Sequence, residues 1–159
     1  MQHTHNTLDA QTRTQAVMLL NRHLAAAIDL HGQLKQAHWN VRGPGFIAVH
    51  ELLDKVAETA LADVDALAER AGALGGDARG TAATAAAESF LIPYPHHIAG
   101  VQQHCFAVCG ALAAFGESVR EAATTATAFG DADTADLLTG ISRGVDQNLW
   151  LVGSNLAHV

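Results

Sequence analysis

The segment from Phe46 to Leu74 constrains this chain more than any other. It contains no proline, and no glycine before Gly72, and it is rich in Ala, Leu, Glu and Asp, all compatible with a helix. Gly43-Pro44-Gly45 precedes it and Gly75-Gly76 follows it, so both ends are punctuated. At about 100° per residue, Val49, Leu53, Val56, Ala57, Ala60, Val64, Leu67, Ala71 and Leu74 form one apolar stripe. That stripe predicts burial in a helical bundle. Lys55, Thr59, Ala62, Asp63, Ala66 and Arg70 fall roughly opposite, on the expected solvent face.

Beside the stripe lies an arc of roughly 100° that carries His50, Asp54, Asp65 and Glu69, with Glu58 between them. His50 and Asp54 share one turn, and so do Asp65 and Glu69. The step from Asp54 to Asp65 corresponds to roughly 16 Å of rise. No single ion bridges it, because ligand bonds are only about 2 Å long. An antiparallel pair of these helices resolves the separation. One chain's His50 and Asp54 would then face the other's Asp65 and Glu69, giving two equivalent sites across a two-fold axis. The competing reading is a set of solvated surface acids at i,i+4 spacing, the default for Glu51 and Asp63. Like charges at that spacing destabilise a helix unless a cation sits between them, and a histidine among acids points to a metal.

With 159 residues the chain is read as one domain, residues 1–159, long enough for a substantial core. Hydrophobic residues make up 49% and aromatics only 5%, a composition in which alanine packs helices closely and which argues against a sheet. The pattern predicts an all-α fold with four long helices, over Leu8–Asn40, Phe46–Leu74, Pro95–Thr125 and Thr134–Ala157. A long crossover from Gly75 to Pro95 is expected to hold a short helix within Ala82–Phe90. Short first and last connections around a long crossover is the ferritin-like bundle order. No Glu is followed three residues later by His, which counts against a di-iron centre inside one bundle and favours the interface. No apolar run approaches transmembrane length and the polar N-terminus has no secretory core. A cytoplasmic protein fits, and Cys105 and Cys109 read as small buried residues.

The runs KQAHWNVRGPGF, HELLD and DALAERAGALGG resemble the Dps family of bacterial mini-ferritins, and the similarity continues through YPHHI, DADTADLLT and NLWLVGSN. Only about the first ten residues lie outside it. The resemblance implies a ferroxidase and iron store. Its ligands would be His38, His50 and Asp54 of one subunit with Asp65 and Glu69 of the next, matching the inter-subunit arrangement argued from helical spacing. It implies a homo-dodecamer built from two-fold dimers, with iron as substrate and ferric mineral as product. Zinc is a competitor for the same donors. Trp39 would pack at the dimer seam and, by resemblance, donate electrons or intercept radicals beside the iron, whereas Trp150 reads as core.

Asp131, Asp133 and Asp136 are candidates both for N-caps and, by resemblance, for an acidic three-fold pore that draws in ferrous iron. Glu51 and Glu58 are candidates for the cage interior. His96, His97 and His104 receive no role. The family is also named for DNA binding, usually through Lys/Arg-rich tails, which would allow a nucleoid-associated location. This chain departs from that pattern: its net charge is −7 and it has only Lys35 and Lys55 as lysines. Residues 1–8 read as a flexible tail carrying His3 and His5 but no Lys or Arg, and the final LAHV is neutral. Binding to phosphates needs several cations, so DNA binding near neutral pH is expected to be weak at most, with protonated His3 and His5 contributing only in acid.

Overall fold

The computed structural model describes residues 1–156. It contains five helices: α1 (Ala10–Asn40), α2 (Phe46–Ala73), α3 (Ala82–Glu88), α4 (Val101–Ala128) and α5 (Ala132–Gly153). α1 packs along α2 and α4 along α5; the two hairpins then join through α1 on α4 and α2 on α5, and the short α3 lies on α1. This is the all-α ferritin-like bundle that the spacing of apolar residues predicts.

Local chemistry sets the boundaries. The Asp9 carboxylate accepts the N–H groups of Gln11 and Thr12 and starts α1, and Thr81 Oγ1 accepts the Thr84 N–H at the start of α3. α4 begins at Val101 rather than Pro95. The residues before it are held out of helix by a short parallel bridge in which the Arg42 N–H donates to Ala99 O at 2.8 Å, and by His97, whose φ is +64°. Gln103 Oε1 then accepts the Gly100 N–H at 3.1 Å and caps the helix. α5 ends at Gly153, short of the expected Ala157, which lies outside the described residues.

The apolar stripe of α2 is buried: Val49, Leu53, Val56, Ala57, Ala60, Leu67, Ala71 and Leu74 are each at most 5% exposed. They meet Leu20, Leu24, Leu30 and Leu34 of α1, Leu112 and Phe115 of α4 and Leu138 of α5 in one core. Cys105 belongs to that core and Cys109 packs at its edge. Burial, and then Cys109, push the Cys105 thiol up to about 11, so it stays a protonated small apolar residue.

Several expectations are corrected. Trp150 is not core; it is 67% exposed. Residues 1–8 do not hang free: the Gln2 N–H donates to Gly75 O at 2.6 Å, its amide to Asp77, and the Thr4 hydroxyl to Ala73 O. The glycine pair after α2 makes room for this. Gly75 has φ +82°, and a Cβ on it would stand 2.8 Å from Gln2 O. A Cβ on Gly76 would meet Val17 Cγ1 at 2.4 Å. Gly76→Ala is therefore expected to lower stability by about 1–3 kcal/mol through overpacking against α1, read as the shift in a urea denaturation midpoint.

The face of α2 assigned to solvent is partly covered toward its C-terminal end. Asp63 is half-buried, and desolvation lifts its carboxyl to about 6. Arg70 is only 16% exposed and donates to Asp131 Oδ1 at 2.7 Å and to Thr134 Oγ1 at 3.0 Å.

Candidate metal half-site and family membership

The last turn of α1 and the first turns of α2 cross where His38 meets His50. Their rings stack nearly parallel, with centroids 3.7 Å apart and an interplanar angle of 22°. The bonding is reciprocal: His38 Nδ1 lies 2.8 Å from His50 O, and His50 Nδ1 lies 2.9 Å from His38 O. A carbonyl oxygen can only accept, so both Nδ1 atoms carry the proton in the neutral rings. Each Nε2 is left with a free lone pair, the state that a metal requires. Phe46 packs against His50 with centroids 5.1 Å apart and helps hold its ring.

Asp54 lies one turn beyond His50, and its Oδ1 is 4.0 Å from His38 Nε2. The same oxygen accepts a hydrogen bond from Lys35 Nζ at 2.5 Å. That hydrogen bond and the Lys35 charge hold the Asp54 carboxyl below the usual range despite some desolvation. Sequence reasoning missed Lys35. A signal was available, because Lys35 lies three residues before His38 and so shares its face of α1. A cation bound by Asp54 has to share its carboxylate with this ammonium or displace it.

Asp65 and Glu69 do not join this cluster. Both are exposed on α2, about three turns and more beyond Asp54. Among the described residues no three His, Cys, Asp or Glu side chains come together to hold a metal ion. Each chain presents the stacked His38–His50 pair with Asp54 4.0 Å from His38 Nε2, and the carboxylates of Asp65 and Glu69 farther along α2.

Large apolar side chains are exposed around the two half-sites. Trp39 is 60% exposed, Ile47 60% and Leu61 53%. At about 100° per residue, Ile47 and Leu61 fall within the arc that holds His50, Asp54, Asp65 and Glu69. These large apolar side chains stand exposed among the charged ones of the same arc.

A family model described as a ferritin-like domain matches residues 17–159. The DNA protection during starvation protein of Agrobacterium fabrum is 37% identical over 156 residues, which cover 98% of this chain and 94% of that protein. Among solved structures, Dps from Microbacterium arborescens in the high iron form superposes with a TM-score of 0.88 at 32% identity, covering 96% of this chain and 99% of that one. An archaeal Dps homologue from Halobacterium salinarum gives a TM-score of 0.90 at 30% identity, over 96% of this chain and 85% of that one. The chain belongs to the Dps family.

The acids at the α4–α5 junction divide into two kinds. Asp131, expected to line a pore with Asp133 and Asp136, is 1% exposed and points inward. Its Oδ1 accepts from the Thr134 N–H and from Arg70, and its Oδ2 from the Thr134 hydroxyl. It is the N-cap of α5 and half of a buried ion pair, which leaves no oxygen for passing cations. Asp133 and Asp136 stay exposed, although Arg70 lies 3.9 Å from Asp133 Oδ2. Glu51 and Glu58 are exposed as well. Among the described residues, no helix is long and apolar enough to cross a membrane.

Proposed function

We propose that this protein is a ferroxidase and iron-storage mini-ferritin, whose oxidation sites are shared between subunits of a homo-dodecameric cage built from two-fold dimers. The observation that carries this is the reciprocal Nδ1–H···O=C bonding of His38 and His50. It fixes two unprotonated Nε2 atoms beside Asp54 in a chain that places Asp65 and Glu69 out of their reach. The exposed Trp39, Ile47 and Leu61 support burial of that face against a second copy.

In this reading ferrous iron is the substrate. His38 and His50 supply neutral nitrogen donors, Asp54 and the partner chain's acid pair supply charged oxygens, and the mixed set with open positions suits iron redox chemistry. Glu69 has two oxygens with which to bridge a pair of ions, while Asp65 ligates directly or orients a histidine across the seam. Two ferrous ions each give one electron to hydrogen peroxide. Its O–O bond breaks in a single two-electron reduction, and no hydroxyl radical leaves. Ferric ions then collect as mineral inside the cage, protecting the cell against oxidative stress. Asp133 and Asp136, rather than Asp131, supply the negative charge at the entry pore.

The test is to load the purified protein with ferrous iron without oxygen, add peroxide, and follow ferric formation. Fast oxidation that stays in solution supports the reading. Oxidation no faster than in buffer, with zinc found in protein purified without added metal, would instead make the cage a holder of a non-redox ion.

DNA binding is assigned a minor part. Lys35, Arg70, Arg79 and Arg120 are engaged by carboxylates, Arg13 and Arg42 donate to carbonyls, and Arg22 lies over the Phe90 ring. Few cations remain for phosphates on a chain of net charge −7. The expected result at neutral pH and low salt is no retained duplex in a gel shift. Tight retention would overturn it.

A further inference from the structure

Tyr94 is the only tyrosine in the chain. Its phenol oxygen lies 2.6 Å from His104 Nδ1, at the short end of the range for a hydroxyl donor. His104 is 1% exposed, and its Nε2 is buried with no hydrogen-bond partner. The backbones of Ile98 and Asn40 nonetheless stand close enough to favour the charged ring, against a larger lowering by desolvation. With the imidazole proton on Nε2, Nδ1 is the lone pair that receives the Tyr94 O–H. Burial, and then Cys105, push the phenol's pKa upward, so the pair rests as neutral phenol and neutral imidazole.

The pair borders a cavity of about 270 Å³ that also touches Gln36, Asn40, His96 and His97. Gln36 and Asn40 belong to the end of α1, the same stretch that carries His38 and the exposed Trp39. The neutral resting state has a chemical consequence. A phenol that loses an electron becomes a strong acid, and its proton passes most readily to a base already hydrogen-bonded to it. His104 Nδ1 is that base, already 2.6 Å from the phenol oxygen.

We propose that Tyr94 and His104 form a redox-active pair, in which Tyr94 gives up an electron to an oxidised tryptophan while its phenolic proton moves to His104 Nδ1. The O–H bond breaks and an N–H bond forms. The electron fills the hole on the Trp39 radical cation, leaving neutral tryptophan, a neutral phenoxyl radical and an imidazolium. The primary oxidant is of the hydroxyl-radical class, formed when one ferrous ion meets peroxide alone; taking an electron from Trp39 reduces it to hydroxide. A further ferrous ion restores the pair by supplying one electron as the proton returns from His104. The proposal rests on the ferroxidase reading only for the source of that oxidant.

The experiment therefore has an arm without iron. The purified iron-free protein is oxidised by azide radicals from pulse radiolysis, and tryptophan and tyrosine radicals are followed by their optical absorption. The tryptophan signal is expected to decay into a tyrosyl signal. In Tyr94→Phe the tryptophan radical should persist with no tyrosyl signal. In His104→Gln the transfer should slow by on the order of 100-fold, the low end of what a positioned base contributes. Electron–nuclear double resonance of the parent's trapped radical should show a strongly coupled exchangeable proton that vanishes in heavy water, which a merely structural histidine would not supply. An absent tyrosyl radical in the parent, or an unchanged rate in His104→Gln, overturns the pair.

A second arm mixes ferrous iron, peroxide and protein and freezes the sample for electron paramagnetic resonance. A tyrosyl radical absent in Tyr94→Phe, with ferric formation unchanged, supports the role in iron chemistry. Normal ferric formation without that radical in the parent overturns this role. Loss of ferric formation itself would refute the ferroxidase reading, and the iron-free arm would still decide the pair.

Discussion

A cage made entirely of Glu69→Ala chains is expected to oxidise ferrous iron with peroxide at least about 100-fold more slowly than the parent, since even partners behind a metal's direct ligands are typically worth 10–100-fold. Fold and assembly should survive, because Glu69 is exposed within the chain and contributes nothing to the core. His50→Ala should be equally slow. The informative measurement is the mixture. In a two-fold dimer of one His50→Ala chain and one Glu69→Ala chain, one site combines both defects, while the other pairs an intact His38, His50 and Asp54 with an intact Asp65 and Glu69. When equal amounts of the two variants are dissociated and reassembled at random, about half the dimers are mixed. About a quarter of all sites should then be intact. Recovery of about a quarter of the parental rate from two inactive parents is what an inter-subunit site requires. A mixture as inactive as its components would mean that both residues act within one chain, and the shared-site assignment would fail.

The parts of this site that were legible in the sequence are those that a single helix determines. The rotation from His50 to Glu69 along α2 and the long gap between the two pairs follow from helical geometry alone. The long crossover and its short helix could be read from glycine, proline and alanine placement. Contacts between helices were not legible. Lys35 and Asp54 stand nineteen residues apart, and nothing along either helix states that their side chains meet. Arg70 and Asp63 were assigned to solvent because a projection of α2 treats it as having one buried face, whereas Asp63 is half-buried and Arg70 reaches the start of α5. Trp150 failed for the opposite reason: its size suggests burial, but in the folded chain it faces outward. The three acids at the start of α5 look equivalent in sequence. Only the reach of Arg70, sixty-one residues earlier, separates the buried Asp131 from its exposed neighbours.

That buried pair should dominate the stability of the subunit. Arg70→Met leaves the Asp131 carboxylate 1% exposed with only Thr134 as partner. Breaking a buried ion pair from one side typically costs about 3–5 kcal/mol. At roughly 2–4 °C per kcal/mol for a chain of this size, the melting midpoint at pH 7 should fall by on the order of 10 °C, measured by far-ultraviolet circular dichroism. The dependence on pH gives the cause. In the parent, burial would raise the Asp131 pKa, but Thr134 and the Arg70 guanidinium outweigh it and hold the carboxyl below its ordinary value. A carboxyl whose folded pKa is depressed contributes stability above its unfolded value of about 3.9, and that contribution is lost as pH falls through the folded value. Without Arg70, desolvation is opposed by Thr134 alone and the folded pKa rises. The remaining carboxylate then destabilises the variant at neutral pH and ceases to do so once protonated. The gap between parent and variant should therefore be widest near pH 7 and narrow steadily toward pH 4. A gap that stays constant over that range would mean that Arg70 stabilises the α2–α5 contact through the packing of its aliphatic stem rather than through its charge.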